Sequence, residues 1–308
     1  MIIVTSLVGC LLCWQDLSVD KLLASHKQYL SQYRTVDAEI ETWVSWDDGG
    51  SWKLLARDQW WRDGSQERGT RWTAAHHDKF FRTEVQERFE ESSYSDHRIL
   101  SLDGLDPRKK LTEAPSVANN NLGIRASLTE LATEEDSTVG GPILLLLRGA
   151  MVDDLARASR LATSSKVSQT ETDGRILQTV ELTTKVPFAY SLKYTMDPAK
   201  GFAPVERRLN MSATAFSEAK VLAYQHEEGD LWVPSRVQMR MSDRPGQILE
   251  YRLTKLRLNK PIDRSLLKTP ISEGMMVRSK NLIHIWGKDG PKQSAENLND
   301  LLQIKKNQ

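Results

Sequence analysis

Residues 188–258 read FAYSLKYTMDPAKGFAPVERRLNMSATAFSEAKVLAYQHEEGDLWVPSRVQMRMSDRPGQILEYRLTKLRL. Apolar and polar residues alternate through most of this stretch. Tyr190, Leu192, Tyr194 and Met196 fall on one side, and Ser191, Lys193 and Thr195 on the other. Val205, Leu209 and Met211 oppose Glu206, Arg208 and Asn210 in the same way. Leu231, Val233, Val237, Met239 and Met241 oppose Arg236, Gln238 and Arg240. Side chains leave a strand on alternate faces, so a period of two describes strands with one dry and one wet face. Such strands build antiparallel sheets whose dry face needs a cover. Within the stretch, Pro198 and Gly201 predict a turn at Asp197–Gly201 between two adjacent strands.

The same period recurs nearer the start. Val36, Ala38, Ile40, Thr42, Val44 and Trp46 share a face. Asp47-Asp48-Gly49-Gly50 then reads as a turn, because Asp and Gly tolerate its unusual dihedrals. Further strands are expected over Ser51–Arg62, Glu67–Ala74, Lys79–Phe89 and Asp96–Leu102, with a turn at Asp63-Gly64. Residues 166–258 form the second half of the sheet, with turns at Asp173-Gly174 and Gly229-Asp230.

Helical periodicity appears in two places. Ser18 suits an N-cap, with Asp20 in the first turn, and Val19, Leu22, Leu23, His26, Leu30 and Tyr33 follow on one stripe. His26 on that stripe reads as a structural histidine. Residues 104–162 interrupt the strands with Pro107, Pro115, Asn119–Asn121 and a short helix expected from Ile124 to Leu131. A long insert between sheet halves has its own helices or a function. Pro142 then opens a helix in which Leu144, Leu147, Met151, Leu155 and Ala158 make a stripe to about Leu161. Leu145 and Leu146 make its beginning apolar on nearly every side, as in a helix that is fully buried or binds something apolar. After residue 258, a short turn or helix is expected at Pro261–Leu267. A strand is expected at Leu282–Trp286, and an amphipathic helix from Ser294 to Ile304, within a tail of residues 278–308.

Composition narrows the function. The 308 residues suffice for a large core, burying roughly three quarters of the unfolded surface. Lys plus Arg total 42 and Asp plus Glu 41, so there is no global field to attract nucleic acid. The two cysteines, Cys10 and Cys13, lie in the apolar run Met1–Trp14, which leaves the body without thiols. That run, within residues 1–15, reads as the apolar core of an export signal. Leu7-Val8-Gly9-Cys10 resembles a lipobox, which would anchor the chain to a membrane through Cys10. The CxxC spelled by Cys10–Cys13 is a coincidence of this leader rather than a redox pair.

Several constellations read as structure. Trp43, Trp46, Trp52, Trp60, Trp61 and Trp72 crowd the first strands. Cross-strand packing explains them first, and lining of an apolar cavity second. His76-His77-Asp78 has no accompanying metal-ligand spacing and reads as a polar loop end. No G-x-S-x-G, P-loop or G-x-G-x-x-G pattern occurs.

The order of helix, antiparallel strands, helical insert and more antiparallel strands resembles the bacterial outer-membrane lipoprotein carrier superfamily (LolA/LolB-like). MDPAKGFAPV at 196–205, GDLWVP at 229–234 and PISEGMMV at 270–277 look like phrases common in such proteins. The resemblance spans roughly Leu17 to Val277 and implies one domain over residues 16–277. The fold expected is mainly β, an unclosed antiparallel β-barrel or curved sheet with an N-terminal helix and a helical lid between two sheet halves. Family members hold acyl chains of lipoproteins or sense envelope states, without catalysis and without a cofactor. The expectation is therefore an exported protein of the periplasm or cell envelope that binds a lipid or lipidated protein in the sheet's concavity. The candidate apolar contacts are Leu144, Leu145, Leu146, Leu147 and Met151 of the lid, with Trp43 and Trp60 of the sheet. A non-catalytic regulatory or scaffold protein that binds an envelope protein is the alternative, and a hydrolase the third reading.

Overall fold

The computed structural model describes residues 18–64, 66–79, 82–95, 98–104, 125–130, 155–185, 189–269, 271, 273–279, 282–288, 290–296 and 300. Two α-helices lie among them, α1 (Val19–Ser31) and α2 (Leu155–Leu161). Strands β1 (Thr35–Ser45), β2 (Lys53–Asp63), β3 (Gln66–Thr73), β6 (Arg88–Ser95), β7 (Arg98–Gly104) and β8 (Arg125–Glu130) form the first half of the sheet. Strands β9 (Ala162–Thr172), β10 (Arg175–Thr184), β11 (Tyr190–Asp197), β12 (Ala203–Asn210), β13 (Phe216–Glu227), β14 (Leu231–Met241) and β15 (Ile248–Leu258) form the second. Strands β16 (Met276–Arg278), β17 (Ile283–Trp286) and β18 (Pro291–Ala295) follow.

The two halves make one sheet of sixteen strands in the order β18-β17-β16-β8-β7-β6-β3-β2-β1-β15-β14-β13-β12-β11-β10-β9. Its pairings are antiparallel except for that of β16 with β8. The ends of the order, β18 and β9, are not paired to each other, so the sheet is curved but not closed into a barrel. The halves meet where β1 lies between β2 and β15, with Val36 opposite Leu258 on one side and Arg62 on the other. β1 alternates as expected, burying Val36, Ala38, Ile40, Thr42 and Val44.

Local sequence accounts for the ends of these elements. Ser18 accepts a hydrogen bond from Lys21 N at 3.3 Å and caps α1, which buries Leu22, His26 and Tyr29. His26 packs its ring 5.1 Å from Tyr194, within the core. At the first hairpin Asp47 accepts hydrogen bonds from Ser45 Oγ, Ser51 N and Ser51 Oγ. These bonds, that from Ser45 foremost, lower its carboxyl to about 2. The expected turn at Asp197–Gly201 is a 3-10 turn over Pro198–Lys200, closed by Gly201 at φ 62°. A left-handed residue there costs glycine nothing.

Three expectations are corrected. Residues 79–89 are not one strand. β4 (His76–Asp78) and β5 (Thr83–Val85) form a separate hairpin, and β6 starts only at Arg88. Arg82 adopts φ 52°, which no continuous strand admits. The helix expected from Ile124 to Leu131 is strand β8, paired with β7 on one side and β16 on the other. Arg125-Ala126-Ser127-Leu128-Thr129 also fits a period of two, and two neighbouring strands decide the choice. Ser294 and Ala295, expected to open the last helix, belong to β18. Leu298, Leu301 and Leu302 lie outside the described residues, as do Met1–Trp14 and the start of the lid helix.

The outer face is polar and held by ion pairs. Glu250 on β15 is 1% exposed, beneath Arg236, Arg252 and Gln238. Burial alone would raise its carboxyl. The hydrogen bonds from Gln238, Arg252 and Arg236 outweigh burial and hold it below the ordinary value. A carboxylate depressed in the folded state stabilises the fold above its unfolded value, about 4.3, and loses that contribution as pH falls through the lower folded value. Glu250→Gln is therefore expected to melt below wild type at pH 7, with the gap closing below about pH 4. Melting temperatures of both proteins between pH 3 and pH 7 test this. A gap that does not change with pH would show that the negative charge is not what Glu250 contributes.

Candidate functional site

The inner face of the sheet carries the core, in three clusters. The first joins Tyr29 and Tyr33 to Val36, Ala38, Trp60, Ala203, Leu231, Val233 and Leu258. Tyr33 Oη donates to Tyr29 Oη, which donates to Trp232 O at 2.8 Å, so the end of α1 is pinned to β14. The second joins Leu22 of α1 and Leu155 and Ala158 of α2 to Val180, Leu182, Leu192, Tyr194, Met196 and Leu209. The third consists of Ile40, Ala219, Val221, Val237, Met239 and Tyr251. Every member of the third comes from a strand, as do the side chains partly buried against it. Both helices thus serve the first two clusters, and among the described residues no helix packs on the third.

The residues expected to contact a ligand fall in different places. Trp60 is 2% exposed and sits in the first cluster. Trp43 is on the opposite face. Its Nε1 donates to Glu41 Oε2 at 3.0 Å, and the Arg252 guanidinium lies 4.7 Å from its ring. The structure does not bring these two tryptophans together. The remaining four tryptophans of the cluster each lie against a cation: Trp61 with Arg68 at 5.1 Å, Trp46 with Lys79 at 5.7 Å, Trp72 with Arg57 at 5.8 Å, and Trp52 with Arg252 at 5.9 Å. Such contacts contribute about 0.5 to 1 kcal/mol each on a wet face. Leu144, Leu145, Leu146, Leu147 and Met151 lie outside the described residues. His76 and His77 lie in the β4–β5 hairpin, where His77 Nδ1 is 2.8 Å from Glu84.

Sequence reasoning missed polar residues in the inner face beside the third cluster. Thr42 lies opposite Tyr251 in the β1–β15 ladder. Asp58 lies opposite Ile40 and, on its other side, opposite Arg71. Asp58 Oδ1 and Arg71 Nη1 are 3.6 Å apart. Burial raises the Asp58 carboxyl, and the Arg71 charge only partly opposes it. Burial raises the Tyr251 phenol too, against the pull of Arg71. The available signal was the phase of β2, which sets Asp58 between Ala56 and Trp60, both buried.

No family model matches the chain, and no curated protein matches it. Solved structures do. A DUF1329 family protein from Desulfovibrio piger superposes with a TM-score of 0.50 at 10% identity, over 81% of this chain and 95% of that one. An outer membrane lipoprotein-sorting protein domain from Vibrio parahaemolyticus gives 0.49 at 10% identity, over 82% and 97%. A LolA superfamily protein from Nitrosomonas europaea gives 0.47 at 8% identity, over 82% and 98%. The chain is thus similar in fold to that DUF1329 family protein.

Proposed function

We propose that the protein is an exported, non-catalytic binding protein that holds an apolar ligand, a lipid or the acyl chain of a lipidated protein, on the inner face of its open sheet. The observation that carries this reading is the third cluster, an apolar field of strand residues to which neither described helix contributes. A dry sheet face needs a cover. In this reading an acyl chain supplies it when the site is loaded, and the apolar start of the lid helix, Leu144–Leu147 with Met151, closes over it. Apolar contacts then supply affinity with few polar groups. Trp60 forms the floor beside α1, whereas Trp43 stabilises the far side of the sheet. The leader of residues 1–15 directs export, and Cys10 offers a point of lipid attachment in the cell envelope.

The test is Leu145→Ser with Leu146→Ser, measured by thermal unfolding and by titration with a fluorescent fatty acid. The pair lies off the Leu144–Leu147–Met151 stripe. Loss of probe affinity by about tenfold or more with the fold retained is expected, since each Leu contact contributes on the order of 1 to 3 kcal/mol. A large fall in melting temperature with unchanged affinity in the folded protein would overturn the reading.

One observation favours a second reading. The eleven-residue strand β9 forms an edge of the sheet, with a largely exposed, polar run of side chains. Such an edge accepts a strand from a protein partner. A protein that co-purifies with the chain, together with no lipid in an organic extract, would support this alternative.

A further inference from the structure

The polar residues beside the third cluster form a set with spare hydrogen-bond donors. Thr42 is 1% exposed, in phase with Ile40 and Val44, and its Oγ1 has no hydrogen-bond partner. A buried hydroxyl left in that state costs roughly 1 to 3 kcal/mol. Tyr251 stands directly across from it, so the two side chains begin about 5 Å apart. The Tyr251 phenol makes no hydrogen bond among the described residues. Two strands from Thr42, across β2, Arg71 of β3 faces the same inner surface, opposite Asp58. The 3.6 Å separation from Asp58 is too long for a hydrogen bond, and the partly exposed guanidinium keeps donors that a ligand can take from water. Two hydroxyls and a guanidinium thus lie on one face with the carboxyl of Asp58. Ile40, Val237 and Met239 adjoin them on the apolar side.

An acceptor-rich group attached to an apolar chain answers both halves of this arrangement. We propose that Thr42, Tyr251 and Arg71 form a head-group subsite for the carbonyl end of an acyl chain, carboxylate or ester, whose tail lies along Ile40, Val237 and Met239. The proposal rests on the apolar-ligand reading above and adds to it a selection for the head. Asp58 holds the Arg71 guanidinium beside the subsite. A quaternary ammonium head cannot accept from the hydroxyls and meets the like charge of the guanidinium.

The test displaces a bound fluorescent fatty acid with three probes of equal chain length: palmitate, methyl palmitate and hexadecyltrimethylammonium, each below its micellar concentration. Palmitate and methyl palmitate are expected to displace the probe at about tenfold lower concentration than the ammonium compound. Thr42→Val with Tyr251→Phe keeps shape and removes both hydroxyls, and should bring the three probes to within about threefold of one another. Arg71→Met is the independent variant. A larger loss for palmitate than for its ester assigns the carboxylate to Arg71, and an equal loss assigns the ester. Equal displacement by all three probes in the wild type overturns the subsite while leaving the apolar-ligand reading intact. An undiminished carbonyl preference in the folded double variant overturns it too. Failure of the fluorescent fatty acid and of all three probes to bind the wild type defeats the apolar-ligand reading, and the subsite with it.

Discussion

Replacing Trp60 with alanine is expected to remove about 3 to 5 kcal/mol of unfolding free energy, the usual cost of emptying a buried aromatic site. Trp60 is packed among Tyr29, Tyr33, Val36, Ala38 and the starts of β12 and β14, so its loss opens a cavity where α1 meets the sheet. Several strands and a helix border that space, and none can collapse into it without breaking ladder pairings. Trp43→Ala is the internal comparison. Its ring loses the stack with Arg252 and the bond to Glu41, on a face where water replaces what is removed. The expected cost there is about 1 to 2 kcal/mol. Urea denaturation of the two variants ranks them directly. A larger loss for Trp43→Ala would mean that the core lies on the other side of β1.

Asp197→Ala is the second change with a large expected effect. The carboxylate is 1% exposed and does two jobs. Oδ1 accepts from Ala199 N at 3.0 Å, and Oδ2 takes the Lys200 ammonium at 2.7 Å. The ammonium also lies 5.0 Å from the Tyr224 ring and 5.3 Å from that of Trp232. Removing the carboxylate leaves a nearly buried ammonium facing only aromatic rings, and a turn N–H without its acceptor. The expected loss is about 2 to 4 kcal/mol by denaturant titration. Asp197→Asn keeps an acceptor for Ala199 and should lose about half as much, which separates the cap from the charge. A loss below about 1 kcal/mol for Asp197→Ala would mean that water satisfies both groups and that the site is open.

How much of this was legible depended on how many independent signals agreed. The Asp197–Gly201 turn needed Pro198 to set one dihedral, Gly201 to allow another, and alternating strands on either side, and all were present in the sequence. β1 announced its dry face through five residues in phase. β8 offered only six residues compatible with either period, and its identity came from neighbours distant in sequence. The hairpin at 76–85 was read through because its flanks also alternate. The site was less legible than the fold. Trp43 and Trp60 look alike as residues, and only the ladder register, with Trp60 opposite Ala38 and Trp43 opposite Glu250, sorts them to opposite faces. Thr42 passed as one more member of an apolar row, and nothing within the Ser51–Arg62 strand singled out Asp58. Neither reveals itself until Tyr251 and Arg71 arrive beside them from elsewhere in the chain.

The join between β1 and β15 sets the timetable on which the chain becomes a protein. Val36 meets Leu258 only after more than two hundred intervening residues have been made, and closing so long a loop is costly before its contacts repay it. Hairpins such as β1–β2 and β11–β12 form within a few dozen residues, so each half can organise while its neighbour is still absent. Until residue 258 arrives, β1 presents an unpaired margin with a greasy side, which is the form most prone to stick to other chains. A chain built this way gains from being kept extended and escorted until it is complete. Variants that weaken the join, even modestly, should therefore lower yield in the cell more than they lower the melting temperature of the molecules that do fold.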